Sequence, residues 1–360
     1  MTKKKILVVA STMSHLANFH MSYINELKKT YDVFTMAKND FGFEADFDIH
    51  FEKKDFLIKN IGIIKKIRKI LKEYKFDVIF LNTTLAAFYV RCAVKGLKNK
   101  PKVVNIVHGY LFSKNVGAVK RFALELAEKF VAKQTDNIVT MNREDYEYAK
   151  KHKLSKGEVF FIDGMGVDNL RVKVNQKERH DDKIVFTFIG ELSARKNQKF
   201  LIRAVKELEK FDYNIELNLL GYGVKTQKFI NYAKKLKVDK KINFCGYQKD
   251  ISKYLENTDF YVSASKIEGC PFNIIEAMMA GKVVFSADIK GAVDVISDLE
   301  NGVLYKFGNL DSFVSKFRLV KNDLKLQEEI KKNAILTSKK YELGRVFSNN
   351  IILFEKLIKG

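Results

Sequence analysis

Short apolar runs separated by helical periodicity extend along most of this chain. In the first half they are Ile6 to Ala10, Asp77 to Leu81, Lys102 to Val107 and Asn137 to Met141. In the second half they are Ile184 to Ile189, Ile215 to Leu220, Lys241 to Cys245, Phe260 to Ala264 and Lys282 to Ser286. Each is rich in β-branched or aromatic residues and lacks strict alternation, as a strand buried on both faces requires. Helical stretches between such strands predict right-handed βαβ units and parallel sheets, an α/β chain. The polar stretch Asp168 to Asp182 interrupts the alternation and is the expected linker, dividing the chain into residues 1–170 and 171–344, with 345–360 as a terminal helix. Two doubly wound halves are expected to present the carboxyl ends of their strands to a common crevice, where such folds bind ligands.

Composition narrows the class. A chain of 360 residues with 46% hydrophobic content suits two cores rather than one. Its three cysteines, Cys92, Cys245 and Cys270, are too scattered for a disulfide framework or a Cys-x-x-Cys site, which fits a reduced, cytosolic setting. The run Ile6 to Ala10 is too short for a signal-peptide apolar region, and no stretch has the length of a membrane span.

The formal charge of +22 is concentrated. Residues 53 to 75 hold nine Lys and Arg against two acids, and residues 91 to 102 hold five basic residues and no acid. Within the first segment Ile63, Ile64, Ile67, Ile70, Leu71 and Tyr74 recur at helical spacing, with Lys65, Lys66, Arg68, Lys69 and Lys72 between them. This basic amphipathic helix reads either as a surface helix packed on a sheet or as a face drawn to an anionic membrane.

Candidate chemistry gathers at strand ends in the second half. Gly190 follows one strand and leads to Arg195 and Lys196, adjacent cations at a strand-to-helix turn where a diphosphate could rest. Gly221 and Gly223 follow the next strand, and Gly246 with Tyr247 the one after. Glycines there serve a ligand lying along the sheet edge or merely the turn itself. Glu268 precedes the tight turn Gly269-Cys-Pro-Phe-Asn273, and Glu276 lies about one turn into a helix Phe272 to Met279. Glu276 is placed to accept from paired hydroxyls such as a ribose diol, and Glu268 from a second hydroxyl group. The plainer alternatives are dipole complementation by Glu276 and a solvated Glu268.

The pattern Glu268-Gly269-x-Pro271-x-x-x-x-Glu276-Ala277-x-x-x-Gly281 resembles the signature of the family 4 retaining glycosyltransferases of GT-B fold, and Gly190, Arg195-Lys196, Gly221 and Gly246 occur in that family's order. In the first half, Ser14-His-Leu-Ala-Asn-Phe-His20, Val107-His-Gly-Tyr110, Glu128-Lys-Phe130 and Asn142-Arg-Glu-Asp-Tyr146 resemble bacterial capsular and exopolysaccharide glycosyltransferases. The resemblance implies two Rossmann-like domains facing a central cleft, the first binding acceptor and the second the nucleotide sugar, with the last helix returning to the first domain.

It further implies a donor site of Gly190, Arg195, Lys196, Gly221, Gly246, Tyr247, Glu268, Pro271, Phe272, Asn273, Ile274 and Glu276. There Arg195 and Lys196 neutralise the diphosphate, Glu268 binds the sugar and Glu276 the ribose. His108 is similar to the family's acceptor-side histidine near the donor sugar, and counts with Arg195, Lys196 and Glu268 as catalytic. Ser14, His15 and His20 are acceptor-side candidates; the two histidines either orient an acceptor phosphate or cap and pack. Where many GT-B enzymes carry Gly-Gly after the first strand, this chain has Ser11-Thr-Met-Ser14.

The implied activity is metal-independent, retaining transfer from a nucleotide diphosphate sugar, UDP-linked by expectation, to a polyprenyl diphosphate-linked saccharide. Attack is expected on the face the leaving phosphate occupies, with no enzyme nucleophile and no cofactor. Asp46-Phe-Asp48, read as a polar loop, is a poor magnesium site. An anionic inner-membrane surface is the further partner expected, through Lys65, Lys66, Arg68, Lys69 and Lys72, with the protein cytoplasmic and peripherally bound. The alternatives are a UDP-sugar epimerase of the same fold and a nucleic-acid-binding protein; the charge suits the latter, but no recognised binding motif accompanies it, so no nucleic-acid partner is expected.

Overall fold

A computed structural model describes residues 3–51, 59–172 and 182–360. The chain forms two compact units, Met1–Gly166 with Val346–Gly360, and Val167–Arg345. Residues 173–181 of the expected linker and 53–58 of the basic segment lie outside the described residues.

The first unit holds β1 (Lys5–Thr12), β2 (Asp32–Lys38), β3 (Phe47–Asp48), β4 (Val78–Leu81), β5 (Lys102–Val107), β6 (Asn137–Thr140) and β7 (Val159–Phe161). They pair in the order β3-β2-β1-β4-β5-β6-β7, and every pairing is parallel. The order reverses between β1 and β4, so the loops after these two strands diverge to opposite faces and leave a crevice at their carboxyl ends. The second unit holds β8 (Ile184–Ile189), β9 (Ile215–Leu220), β10 (Ile242–Gly246), β11 (Phe260–Ser263), β12 (Val283–Ala287) and β13 (Val303–Tyr305). Its order is β10-β9-β8-β11-β12-β13, again all parallel, with the switch between β8 and β11. Two parallel Rossmann-like sheets are the architecture the apolar runs predict.

β2, β3, β7 and β13 go beyond that prediction. Asp46-Phe-Asp48 is not a free polar loop: Phe47–Asp48 is the edge strand β3. The Asp46 carboxylate accepts from Thr35 N (2.7 Å) and Thr35 Oγ1 (2.8 Å), and Asp48 from Asn39 N (3.0 Å). Short edge segments carry too few apolar residues to register as strands and are held by such side-chain bonds instead.

The basic helix runs Lys59–Tyr74. Ile67 and Leu71 are buried in the first unit's core, with Ile63, Ile64, Ile70 and Tyr74 packed against it. Arg68 caps the neighbouring helix Thr84–Val94, donating to the carbonyls of Cys92 (3.3 Å), Ala93 (3.0 Å) and Lys95 (2.8 Å). Those carbonyls are among the last of a helix and otherwise lack partners. Lys66 Nζ donates to Asp48 O at 3.2 Å, while Lys65, Lys69 and Lys72 extend into solvent. The last helix, Leu343–Lys359, packs its Val346–Lys359 portion on the first unit. Phe354 meets Tyr23 and Phe80, each with ring centroids 5.4 Å apart, and Asn350 Nδ2 donates to Gly164 O at 2.9 Å. Among the described residues no helix is long and apolar enough to cross a membrane.

Candidate functional site

In the second unit the chemistry collects at the switch point. The loop after β8 carries Arg195 and Lys196, the loop after β11 carries Glu268, and these strands are neighbours in the sheet. Lys196 Nζ lies 2.7 Å from Glu268 Oε1, and an Arg195 guanidinium nitrogen 3.1 Å from Oε2. The same nitrogen donates to Ile267 O at 3.2 Å, and Lys266 N donates to Arg195 O at 2.8 Å, tying the two loops together. Lys196 and Glu268 are buried, whereas the Arg195 side chain is 41% exposed. Burial alone would raise the Glu268 carboxyl, but Lys196 first and Arg195 next hold it below its ordinary value. Glu268 is therefore ionised and occupied by two cations, not solvated or free for hydroxyls alone. The three side chains carry one net positive charge, which favours an anion beside them.

Glycine has a specific task here. A Cβ on Gly221 would stand 2.1 Å from Gly190 O, and one on Gly223 2.0 Å from Leu192 O. The loops after β8 and β9 thus touch backbone to backbone, joined by Gly190 N to Leu220 O (2.8 Å) and Leu192 N to Tyr222 O (2.9 Å). Gly221 N in turn reaches Gly246 O at 2.7 Å. Three successive loops are so locked into one surface. Tyr247 stands exposed beside it.

The helix Phe272–Met279 starts after Pro271 with no side chain capping its first turn; Phe272 N donates to Cys270 O (3.0 Å) and Ile274 N to Pro271 O (2.9 Å), and the positive end of the helix dipole points out of this turn. Asn273 Nδ2 donates to Ile189 O (2.8 Å) and Tyr261 Oη (2.7 Å), pinning that turn to β8 and β11. Ile274 is buried, so it offers main chain only, and Phe272 packs against the core. Glu276 is buried in the second turn of the helix. Burial first, and the nearby Glu276 charge, raise the Tyr261 phenol against the opposing hydrogen bonds with Ile189 and Asn273, so it stays protonated. Tyr261 and Gly291 were not among the expected residues. Gly291, with φ +80°, lies where a Cβ would be 2.6 Å from Gly269 O and 2.8 Å from Glu268 O, directly beneath the Glu268 turn. Its signal was a glycine shortly after a strand, the same kind that marks Gly190 and Gly221.

The first unit brings its own candidates together. β1 ends at Thr12 and the helix Met13–Phe19 begins at once, placing His15 over the strand ends. His20 follows that helix, and His108 follows β5. His20 Nε2 and His108 Nε2 are 2.9 Å apart, and the His15 ring lies 4.8 Å from the His108 ring and 5.6 Å from that of His20. Burial lowers all three: His15 to about 4, His20 well below its usual value with added repulsion from His15, and His108 likewise with repulsion from both. The trio is neutral near pH 7, so it offers hydrogen bonds rather than positive charge. His15 Nε2 is buried without a partner. Ring nitrogens within 4.8 Å of one another also make this the group that could hold a transition-metal ion among the described residues.

Ser14 is committed elsewhere, donating through its N (2.7 Å) and Oγ (2.6 Å) to Asp40, which fixes the start of the helix bearing His15. Ser11 N and Oγ meet Thr83 Oγ1 at 2.8 and 2.7 Å across the switch point. The other first-half motifs are structural supports. Glu128 forms a fully buried bidentate pair with Arg91 (2.6 and 2.8 Å), and Asp145 accepts from Tyr110 N (2.9 Å) two residues after His108.

The family model "Glycosyl transferases group 1" matches residues 171–337, and "Glycosyl transferase 4-like" matches residues 5–142. The chain is a group 1 glycosyltransferase of GT-B fold. This glycosyltransferase is 27% identical to the putative glycosyltransferase EpsD of Bacillus subtilis (strain 168), over 92% of each chain. It is 26% identical to the UDP-Gal:alpha-D-GlcNAc-diphosphoundecaprenol alpha-1,3-galactosyltransferase of Escherichia coli, over 74% of this chain and 73% of that one. Among solved structures, the sucrose-phosphate synthase of Thermosynechococcus elongatus superposes with a TM-score of 0.81 at 13% identity, covering 99% of this glycosyltransferase and 100% of that chain. Anabaena HepE in complex with UDP and glucose superposes with a TM-score of 0.75 at 17% identity, covering 98% and 100%.

Proposed function

We propose that this glycosyltransferase moves a sugar, with retention, from a UDP-sugar to a polyprenyl diphosphate-linked saccharide in the synthesis of a cell-surface glycan. The observation that carries the donor half is the Arg195, Lys196 and Glu268 cluster at the β8/β11 switch point, next to an uncapped helix start. As the glycosidic bond loosens, charge accumulates on the departing diphosphate, and Arg195, Lys196 and the positive end of the helix Phe272–Met279 stabilise it where it forms. Those cations do the work a divalent ion does elsewhere, so the reaction runs without a metal at the diphosphate. Glu268 orients both cations and takes a hydroxyl of the transferred sugar; Glu276 takes the ribose diol. The acceptor is received by the first unit, where neutral His108, His20 and His15 supply hydrogen bonds.

The lipid-linked acceptor is supported by relatives whose names specify undecaprenyl diphosphate sugars as substrates. Exposed Lys65, Lys69 and Lys72 add attraction to an anionic surface, about 1 kcal/mol for each basic residue held close to it. The protein then works on the cytoplasmic face, peripherally bound. Incubation with UDP-sugars and a polyprenyl diphosphate-linked saccharide tests the reading. A saccharide longer by one sugar supports it; an isomerised UDP-sugar formed without acceptor refutes it in favour of an epimerase.

A further inference from the structure

The helix Ala118–Val131 turns a large apolar stripe outward. Val119, Phe122, Leu126 and Phe130 are 86%, 68%, 57% and 57% exposed, and they fall at i, i+3, i+7 and i+11, on one face, with Ala123 exposed between them. A surface helix of a soluble domain puts such a stripe inward, as the helix Lys59–Tyr74 does here with Ile67 and Leu71. The inward side of Ala118–Val131 buries Val131 and packs Leu124 on a small apolar cluster, with the polar Glu128 between them. Glu128 there is buried against Arg91, which is further fixed to Ala87 O (3.1 Å) and Thr135 Oγ1 (3.3 Å). That buried pair fixes the helix by its inward side and commits the apolar stripe to the outside.

The surroundings of the stripe name its occupant. Lys120, Lys129 and Lys133 are exposed along it, Lys114 precedes it, and Lys95 Nζ sits 4.8 Å above the Phe130 ring. The helix has two acids: Glu128 is buried, and Glu125 lies to the side, 3.8 Å from Arg121. The outward face thus combines large apolar side chains with lysines and presents no carboxylate. A protein partner would need its own apolar patch and acids to match. An anionic bilayer supplies both chemistries at once, acyl chains beneath a negative headgroup layer.

We propose that this face of Ala118–Val131 inserts into the headgroup region of an anionic membrane, with Phe122, Leu126 and Phe130 reaching the acyl boundary and Lys120, Lys129 and Lys133 meeting lipid phosphates. The inference deepens the lipid-linked acceptor reading and rests on it for its purpose: the inserted helix holds the first unit at the depth where a polyprenyl diphosphate emerges. Exposed Lys65, Lys69 and Lys72 contribute longer-range attraction, whereas insertion belongs to Ala118–Val131.

The test is flotation of the full chain with vesicles of phosphatidylcholine alone and of phosphatidylcholine with phosphatidylglycerol. Wild type floats with the anionic vesicles, and the triple variant F122S/L126S/F130S loses partition by at least about 100-fold, from the apolar surface it no longer buries. The variant is checked for an unchanged circular dichroism spectrum and an unchanged thermal shift with UDP, which reads the other unit. K65E/K69E/K72E loses far less. Equal flotation of the triple variant and wild type overturns the proposal. So does a wild-type dimer in light scattering that becomes monomeric in the triple variant, which would assign the stripe to a second copy of the chain. If wild type inserts but extends no lipid-linked saccharide, the functional reading fails while the membrane face stands.

Discussion

Removing the Glu268 carboxylate is the most revealing perturbation of the donor site. In Glu268→Ala, Lys196 keeps its buried position but loses the carboxylate 2.7 Å away, while the half-exposed Arg195 can turn to solvent. Breaking a buried pair by deleting one partner costs about 3 to 5 kcal/mol, and the exposure of Arg195 keeps this case near the lower figure. For a domain of this size each kcal/mol moves the midpoint by about 2 to 4 °C, so the second unit should melt roughly 6 to 12 °C lower. Under the proposed function UDP brings negative charge to the same two cations. It should therefore raise the midpoint of Glu268→Ala more than that of wild type, where the carboxylate already offsets one of their two charges. Differential scanning calorimetry with and without UDP reads both effects. Replacing the buried pair with apolar residues, Lys196→Met with Glu268→Leu, should restore most of the stability and none of the turnover. If Glu268→Ala melts with wild type, or UDP stabilises both equally, the carboxylate is not the counter-ion of these cations and the argument fails.

Further expectations follow from other groups. Arg195→Ala should lower kcat by about 10²-fold or more in steady-state assays, because it removes a cation facing the leaving charge; near-normal turnover would deny it that role. Glu276→Ala should chiefly raise the donor KM, and a lowered kcat with unchanged KM would reassign Glu276 to the chemical step. The histidines fix a pH dependence of stability: their folded values lie below the ordinary 6.5, His15 near 4. Protons then favour the unfolded chain, so this contribution is present above pH 6.5 and is lost as pH falls toward 4. Melting of wild type and of His15→Gln should therefore diverge at neutral pH and converge in acid, and parallel curves would refute it. Gly221→Ala should disrupt the second unit, since its Cβ would stand 2.1 Å from Gly190 O; a soluble variant with wild-type UDP affinity would contradict the locked-loop geometry.

Much of the scaffold was legible because strands of a parallel sheet are buried on both faces and read as unbroken apolar runs, as in Val103-Val-Asn-Ile-Val107. β2, with Asp32, Thr35 and Lys38 among its apolar residues, and the two- and three-residue strands β3, β7 and β13 lack that signature. That Arg195, Lys196 and Glu268 stand at neighbouring strand ends was legible from spacing together with the family resemblance. Their mutual pairing was not, because no rule of sequence says that Glu268 reaches back some seventy positions to Arg195 and Lys196. Supports such as Gly291 and Tyr261 act through close approach, which only the fold creates. The helices Lys59–Tyr74 and Ala118–Val131 show the deeper limit. Both have an apolar stripe at helical spacing, and periodicity reveals that a stripe exists but not whether the core or the solvent receives it.

In the proposed mechanism Arg195 and Lys196 drive a retaining transfer without a metal at the diphosphate. Nuclear magnetic resonance of the new linkage, formed from an α-linked UDP-sugar and a polyprenyl diphosphate-linked saccharide in the presence of a chelator, tests it most directly. The expected product is α-linked and forms at an undiminished rate; a β-linked product, or a rate that vanishes with the chelator and returns with a divalent cation, would refute this mechanism.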